Sequence, residues 1–265
     1  MTAPYHRAMP PTEIAEPAES VDLPTWAALE SAAWAAWPAL AERDHAGWRL
    51  RTAQGYTKRA NSANAGPDAQ ALTPRDLDLI EAHYAGQGLP VVFRLTDPGP
   101  QPALDAALAQ RGYQRVDPSL VLWRPLGPAD RSVPAPTTLP WPAWLEAFQA
   151  VSGKLGPGQA THLAMLQAIA APCAPAVWPS DSPRCAGLAV LHQGWAGLFD
   201  VATAPDARRQ GLARALCEQL LHWAATQGAH HAYLQVVQAN APARALYARL
   251  GFVTAYRYWY RVKAA

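Results

Sequence analysis

Apolar side chains return at helical spacing through Trp26, Leu29 and Ala33, so "PTWAALESAAWAAWPAL" predicts a helix and ordered structure beginning near Leu23. Alternation follows, with Trp48 and Leu50 set against Arg49 and Arg51. That is a strand signal, and it runs out in the small, polar stretch "GYTKRANSAN". "TPRDLDLIEAHYAGQG" predicts a second helix with Thr73 as N-cap, Pro74 in the first turn and Gly88 as the stop. The unbroken apolar run "LPVVFRL" reads as a buried strand, "QPALDAALAQRGY" as a short helix ending at Gly112, and "YQRVDPSLVLWRPL" as extended chain.

Residues 126–140, "LGPADRSVPAPTTLP", are rich in proline and poor in core-forming side chains, and they read as a linker. Beyond it, "WPAWLEAFQAV" and "ATHLAMLQAIAA" predict helices, and "RCAGLAVLHQG" and "WAGLFDVAT" predict two strands joined by a tight turn at Gln193–Gly194. The order then runs helix "GLARALCEQLLHWAATQG", strand "AHHAYLQVV", helix "APARALYARLG" and terminal strand "FVTAYRYWYRVK". Both halves share the sequence helix, Gly, strand, helix, Gly-aromatic, strand, with Gly112–Tyr113 matched by Gly251–Phe252. The division this suggests is a tail at 1–22, a first domain at 23–125, the linker, and a second domain at 141–265.

Composition narrows the class. A chain of 265 residues, 50% hydrophobic, is long enough for real cores. Its formal charge of +2, from 22 basic and 20 acidic residues with no long run of either sign, gives no footprint for nucleic acid. Three cysteines without metal-ligand spacing predict reduced thiols and no metal site. The N-terminal twenty residues hold no apolar run that would serve as a signal, and no segment approaches a membrane span, so the expectation is a cytoplasmic protein.

The candidate chemistry lies in "DVATAPDARRQGLARAL". Arg208 and Arg209 stand just ahead of a helix start, where the free N–H groups and partial positive charge make a further cation mildly unfavourable. An anion would resolve that. Gly211 and Ala213 are small enough for a bulky anion to approach the first-turn amides of an amphipathic helix carrying Leu212, Leu216 and Leu220. A Walker loop and a dinucleotide-binding Gly-x-Gly-x-x-Gly are both absent. The alternative is a solvated loop in which Gly211 only turns the chain. The first half has no Arg-x-x-Gly-x-Ala counterpart.

These residues, with Asn240, Leu246–Tyr247 and Leu250–Gly251–Phe252 in "NAPARALYARLGF", resemble the GNAT (GCN5-related N-acetyltransferase) superfamily over about Gly187 to Tyr260. The resemblance implies an α/β fold with a mixed sheet, the GNAT acyl-CoA transferase fold, and the echo implies a tandem member with a degenerate first GNAT-like domain. It implies acetyl-CoA as co-substrate, with the pantetheine arm on the strand residues Val201, Ala202 and Thr203. The pyrophosphate would lie on Arg208, Arg209, Gln210, Gly211, Leu212, Ala213 and Arg214. Asn240 and Ala243 would contact the arm, although Asn240 reads equally as the N-cap of its helix. Tyr247 matches the tyrosine that protonates the departing CoA thiolate, or else is an aromatic packed on a helix face. Asp200 is the nearest carboxylate for a general base; strict alternation sets it opposite Phe199 and Val201. His192 and His230–His231 are read as solvated strand-end residues. Tyr256, Tyr258 and Tyr260 are read first as sheet-face packing, and "GYTKRANSAN" as a contributor to the acceptor site or a solvated turn.

The implied reaction is direct acetyl transfer to a primary amine on a small molecule or protein, without metal, membrane or nucleic acid. The rival readings are a catalytically silent acyl-CoA sensor and a tandem GNAT transferase using aminoacyl-tRNA.

Overall fold

The computed structural model describes residues 23–99, 103–153 and 158–264; the tail expected at 1–22 lies outside them. The first half holds α1 (Leu23–Ala36), β1 (Ala41–His45), β2 (Trp48–Thr52), β3 (Ala63–Ala65), α2 (Pro74–Ala85), β4 (Val91–Thr96), α3 (Leu104–Gln110) and β5 (Gln114–Pro125). The second holds β6 (Thr137–Thr138), α4 (Trp141–Ser152), α5 (Gln159–Gln167), β7 (Cys173–Trp178), β8 (Cys185–His192), β9 (Trp195–Thr203), α6 (Leu212–Thr226), β10 (His231–Val237), α7 (Ala241–Arg249) and β11 (Val253–Lys263).

Local chemistry explains most boundaries. Thr73 caps α2 in a full capping box, its hydroxyl accepting from the Asp76 N–H at 3.2 Å while Asp76 accepts from the Thr73 N–H at 2.8 Å. Gly112 and Gly251, with φ of +86° and +82°, end α3 and α7. In each case the next aromatic N–H turns back to a helix carbonyl, Tyr113 to Leu108 and Phe252 to Tyr247, both at 3.0 Å. Gln193 and Gly194 both take positive φ, which gives the β8–β9 hairpin a turn matched to strand twist.

Among the described residues all strands join one mixed sheet of 11, ordered β1-β2-β3-β4-β11-β5-β10-β9-β8-β7-β6. The halves interlock: β5 lies antiparallel between β10 and β11, and β11 lies between β5 and β4. Four strands fall where the sequence pattern showed none: β1, β3, β6 and β7. β6 comes from the proline-rich stretch and pairs with β7, and β7 itself, "CAPAVW", carries Pro175 inside a strand of small residues. Helices cover both faces. Leu29, Trp144, Phe148 and Met165 of α1, α4 and α5 pack with Tyr256, Tyr258 and Tyr260 on one face. On the other, α6 and α7 pack over Leu122, Leu198 and Leu234, and α2 and α3 over Leu50 and Phe93.

Candidate active site

β9 and β10 run parallel and pair from Trp195–His231 to Leu198–Leu234, where their pairing stops. Beyond that point β9 stays paired with β8 through Thr203, and β10 with β5 through Val237. A wedge opens between two strands that each keep one partner. The β10-facing edge of Phe199 to Thr203 has no strand to bond, so its main-chain groups are available to an extended ligand.

At the far end of β9 the chain turns through a 3-10 segment, Pro205–Ala207, into the loop 208–211. Arg208, Arg209, Gln210 and Gly211 are all exposed. Arg209 takes φ +62° and Gly211, the N-cap of α6, takes φ +82°. No side chain caps this helix of 15 residues. Its first internal bond is Ala215 N–H to the Gly211 carbonyl at 3.0 Å, so the amides of Leu212, Ala213 and Arg214 lie ahead of the hydrogen-bond ladder. Arg208 Nε donates to the Thr203 carbonyl at 3.4 Å, Gln210 Nε2 to the Asp206 carbonyl at 3.3 Å, and Arg214 to Glu218 at 2.8 Å. The start of α6 is thus a set of amides with no side-chain cap, preceded by the exposed Arg208 and Arg209.

The structure brings Val201, Leu212, Ala213, Ala243 and Tyr247 to one face, packed with Leu216 and Val236. Tyr247 is 8% exposed and meets Phe252 edge-on at 6.0 Å. Burial, then the neighbouring thiols of Cys217 and Cys185, raise its pKa, so the phenol keeps its proton. Asn240 does cap α7, accepting from the Ala243 N–H at 3.2 Å. The three cysteines are free.

Asp200 departs from the expected alternation. Leu188 pairs with Phe199 but Ala186 with Ala202, so β9 holds one extra residue, and Asp200 takes φ +48° at that bulge. The bulge turns Asp200 toward α5, onto the face that holds Phe199 and opposite Val201. There its Oδ2 lies 2.9 Å from Nε2 of His162, off hydrogen-bond alignment, and both atoms lack another partner. His162 is 2% exposed, stacked on Tyr56 at 4.9 Å and edge-on to Phe148 at 5.8 Å. Nothing local in "ATHLAMLQ" marks this histidine; only the packing of α5 on β9 does.

Tyr56 belongs to "GYTKRANSAN", which the fold lays against the wedge. Asn61 ties the loop, accepting from Ala53 and Gly55 N–H at 2.7 and 2.9 Å and donating to the Tyr56 and Thr57 carbonyls at 2.8 Å each. The guanidinium of Arg59 lies 4.7 Å over Trp37 and 5.6 Å over Phe199. The terminal tyrosines are packed as expected, each 5% exposed or less. His231 stacks on Trp195 at 4.5 Å, at the end of β10 away from the wedge, and burial, then His230, lowers its pKa. Among the described residues no group of three or more His, Cys, Asp or Glu is placed to hold a metal ion, and no helix is long and apolar enough to cross a membrane.

A family model described as "Probable histone acetyltransferase Rv0428c C-terminal" matches residues 26–261. Over 249 residues the chain is 28% identical to the uncharacterized N-acetyltransferase YobR of Bacillus subtilis, covering 89% of this chain and 97% of that protein. A shorter stretch of 57 residues, 22% of this chain, is 47% identical to the ribosomal protein bS18 alanine N-acetyltransferase of Escherichia coli, covering 38% of that enzyme. Among solved structures, a GCN5-related N-acetyltransferase from Kribbella flavida superposes with a TM-score of 0.65 at 19% identity, over 90% of this chain and 95% of that one. A tandem GNAT protein from the clavulanic acid biosynthesis pathway gives 0.56 at 14% identity, over 82% and 77%.

Proposed function

The chain belongs to the Rv0428c-type acetyltransferase family and has the GNAT fold, and from that premise we propose that it transfers an acetyl group from acetyl-CoA to a primary amine by direct attack. The observation that carries this reading is the uncapped, exposed start of α6, led by two left-handed residues and standing at the end of an unpaired strand edge. The amides around Gly211 would hold the pyrophosphate, with Arg208 and Arg209 adding charge, and Val201 to Thr203 would hold the pantetheine arm by their main chain. Ala243 borders the same face. Asn240 is engaged in capping α7, and any contact it makes with the arm would come from its remaining polar atoms.

Acetyl-CoA supplies the thioester; the protein's part is to seat it, keep water out and move protons. Tyr247 would give its hydroxyl proton to the departing thiolate. A phenol of ordinary pKa ~10 is a weaker acid than a thiol of ~8.5, and burial of Tyr247 widens the deficit. A thiolate formed on the same apolar face is desolvated too, which raises its own proton affinity and narrows it again. On the opposite face Asp200, which lies against His162, would accept a proton from the incoming amine. The two proton movements then occur on opposite sides of the sheet, with the wedge between them.

The test is calorimetry with CoA and acetyl-CoA beside a thiol-release assay over a panel of amines. Binding with release is the expected result. Absence of binding refutes the proposal, and binding without release against any amine favours the acyl-CoA sensor.

A further inference from the structure

His162, on α5, is a polar residue in an apolar place. It is 2% exposed, and four aromatic rings from three parts of the chain enclose it. Tyr56 stacks on it at 4.9 Å, Trp37 lies tilted at 5.5 Å, and Phe148 and Trp144 stand edge-on at 5.8 and 6.5 Å. The first half of the chain therefore fixes this ring as firmly as α4 does. The neighbouring Thr161 donates its hydroxyl to Gln54 Oε1 at 2.8 Å. A Cβ on Gly158 would run into the Tyr56 ring, so glycine there lets Tyr56 lie along the start of α5. A side chain that only filled such a cage would serve better as phenylalanine or leucine, because a buried ring nitrogen without a partner is destabilising.

The polar atom that the ring presents is Nε2, and it faces Oδ2 of Asp200 at 2.9 Å. Both atoms are buried, and neither has another partner among the described residues. Asp200 is itself held in an uncommon state, a non-glycine residue at φ +48° on the bulge of β9. Such backbone persists where the surroundings over-determine it. Without the bulge, alternation would turn the carboxylate to the other face, away from α5. Of its two oxygens Oδ2 is buried and Oδ1 is not, and the side chain keeps 15% of its surface open. Tyr56 beside the pair keeps its proton, since burial and then the Asp200 charge raise its pKa.

We infer that His162 is a positioning residue for acetyl transfer: its Nε2–H holds Oδ2 of Asp200, which leaves Oδ1 to meet the incoming amine. This rests on the acetyl-transfer reading above. An ionised carboxylate only accepts hydrogen bonds, so the nitrogen that faces it must carry the hydrogen. The two atoms are close but off line, the state of many catalytic hydrogen bonds before substrate arrives, and the contact tightens when the acceptor is bound. In the reaction the ammonium gives one proton to Oδ1, and the nitrogen lone pair forms a C–N bond to the acetyl carbonyl carbon. The C–S bond breaks with its electron pair on sulfur, and sulfur takes the proton of Tyr247. The second proton lost by nitrogen restores that of Tyr247. The products are the N-acetyl amine, CoA and one proton released to solvent. His162 touches none of the reacting atoms; it acts through the carboxylate.

The experiment is thiol release with acetyl-CoA and the fastest amine among ethylamine, glycine, spermidine and an alanine-initiated peptide, with acetyl-CoA calorimetry and urea midpoints in parallel. His162→Phe keeps a ring in the cage without a donor. It should lower kcat roughly 10- to 100-fold, the scale of a hydrogen bond to a charged group, with acetyl-CoA affinity within about twofold. His162→Gln still donates from its amide and should recover part of the loss; His162→Met takes the place of the Phe variant if that one does not fold. On an Asp200→Asn background, itself slowed, His162→Phe should lower kcat no further, because a residue that acts through another has nothing left to act on. Nitrogen NMR of the imidazole should find hydrogen on Nε2. Parental kcat in folded His162→Phe or in Asp200→Asn, losses that multiply in the double variant, or a bare Nε2 overturns the role of His162 and leaves acetyl transfer standing. Failure to bind acetyl-CoA, or binding without thiol release against any amine, removes both readings.

Discussion

Gly211→Ala separates what the fold needs from what a ligand would need. A Cβ built on Gly211 meets nothing within 4 Å, so packing does not demand glycine there. The backbone does, in part: at φ +82° an alanine bears left-handed strain of about 1–2 kcal/mol. Loss of glycine's freedom in the unfolded chain returns ~0.4–1 kcal/mol. The net cost is between about 0 and 1.6 kcal/mol, a modest shift in the urea midpoint. If a diphosphate rests on the amides of 211–214, the new methyl stands in the space its oxygens occupy. The ligand must then move off the amides and lose at least one charge-assisted hydrogen bond, ~1.5–3 kcal/mol, or about 10- to 150-fold in Kd. Calorimetry with CoA checks this, with urea unfolding as the control. A Gly211→Ala protein of near-normal midpoint that binds CoA as the parent does would refute the placement of the diphosphate, however active the enzyme.

Tyr247→Phe should leave CoA affinity within about twofold and lower kcat by ~10²-fold or more, as loss of a general acid does; unchanged single-turnover rates would return Tyr247 to a packing role. Arg94→Met leaves Glu30 buried with one partner gone and should lower unfolding free energy by about 3–5 kcal/mol. Adding Glu30→Gln should restore part of that, and urea midpoints of both variants decide it. The capping box of α2 predicts an acid dependence. Hydrogen bonds from Thr73, and then His45, hold the Asp76 carboxyl at about 2, below the ~3.9 of an unfolded chain. Its support is therefore full above about pH 4 and lost as pH falls through about 2. The Tm gap between the parent and Asp76→Asn should close over that window, and a gap independent of pH would contradict it.

What the sequence disclosed was local chemistry. The start of α6, the cap at Thr73 and the glycine ends at 112 and 251 each depend on a few adjacent residues, and each stands where the pattern places it. The face of Asp200 did not follow, because alternation assumes an unbroken ladder and one bulged residue resets it. β7 was hidden by its small side chains and Pro175, which carry little strand propensity and gain their place by pairing with β8. The buried group of Glu30, Arg94 and Tyr256 joins residues from three elements far apart in the chain, and no spacing rule reaches that distance. His162 is the same case, an ordinary helix residue until α5 is packed on β9.

The interlocked sheet also bears on why a first half without an arginine loop is retained beside a second half that has one. With β5 between β10 and β11, and β11 between β5 and β4, the chain cannot present the second half's sheet without the first. The same exchange carries β4 and its Arg94 to the side of β11, beneath α1, and sets the loop of Arg59 over Phe199. The wedge thus has one wall of α6 and α7, rich in apolar side chains and ending in free amides, and an opposite wall of α1, Arg59 and Arg94, rich in charge.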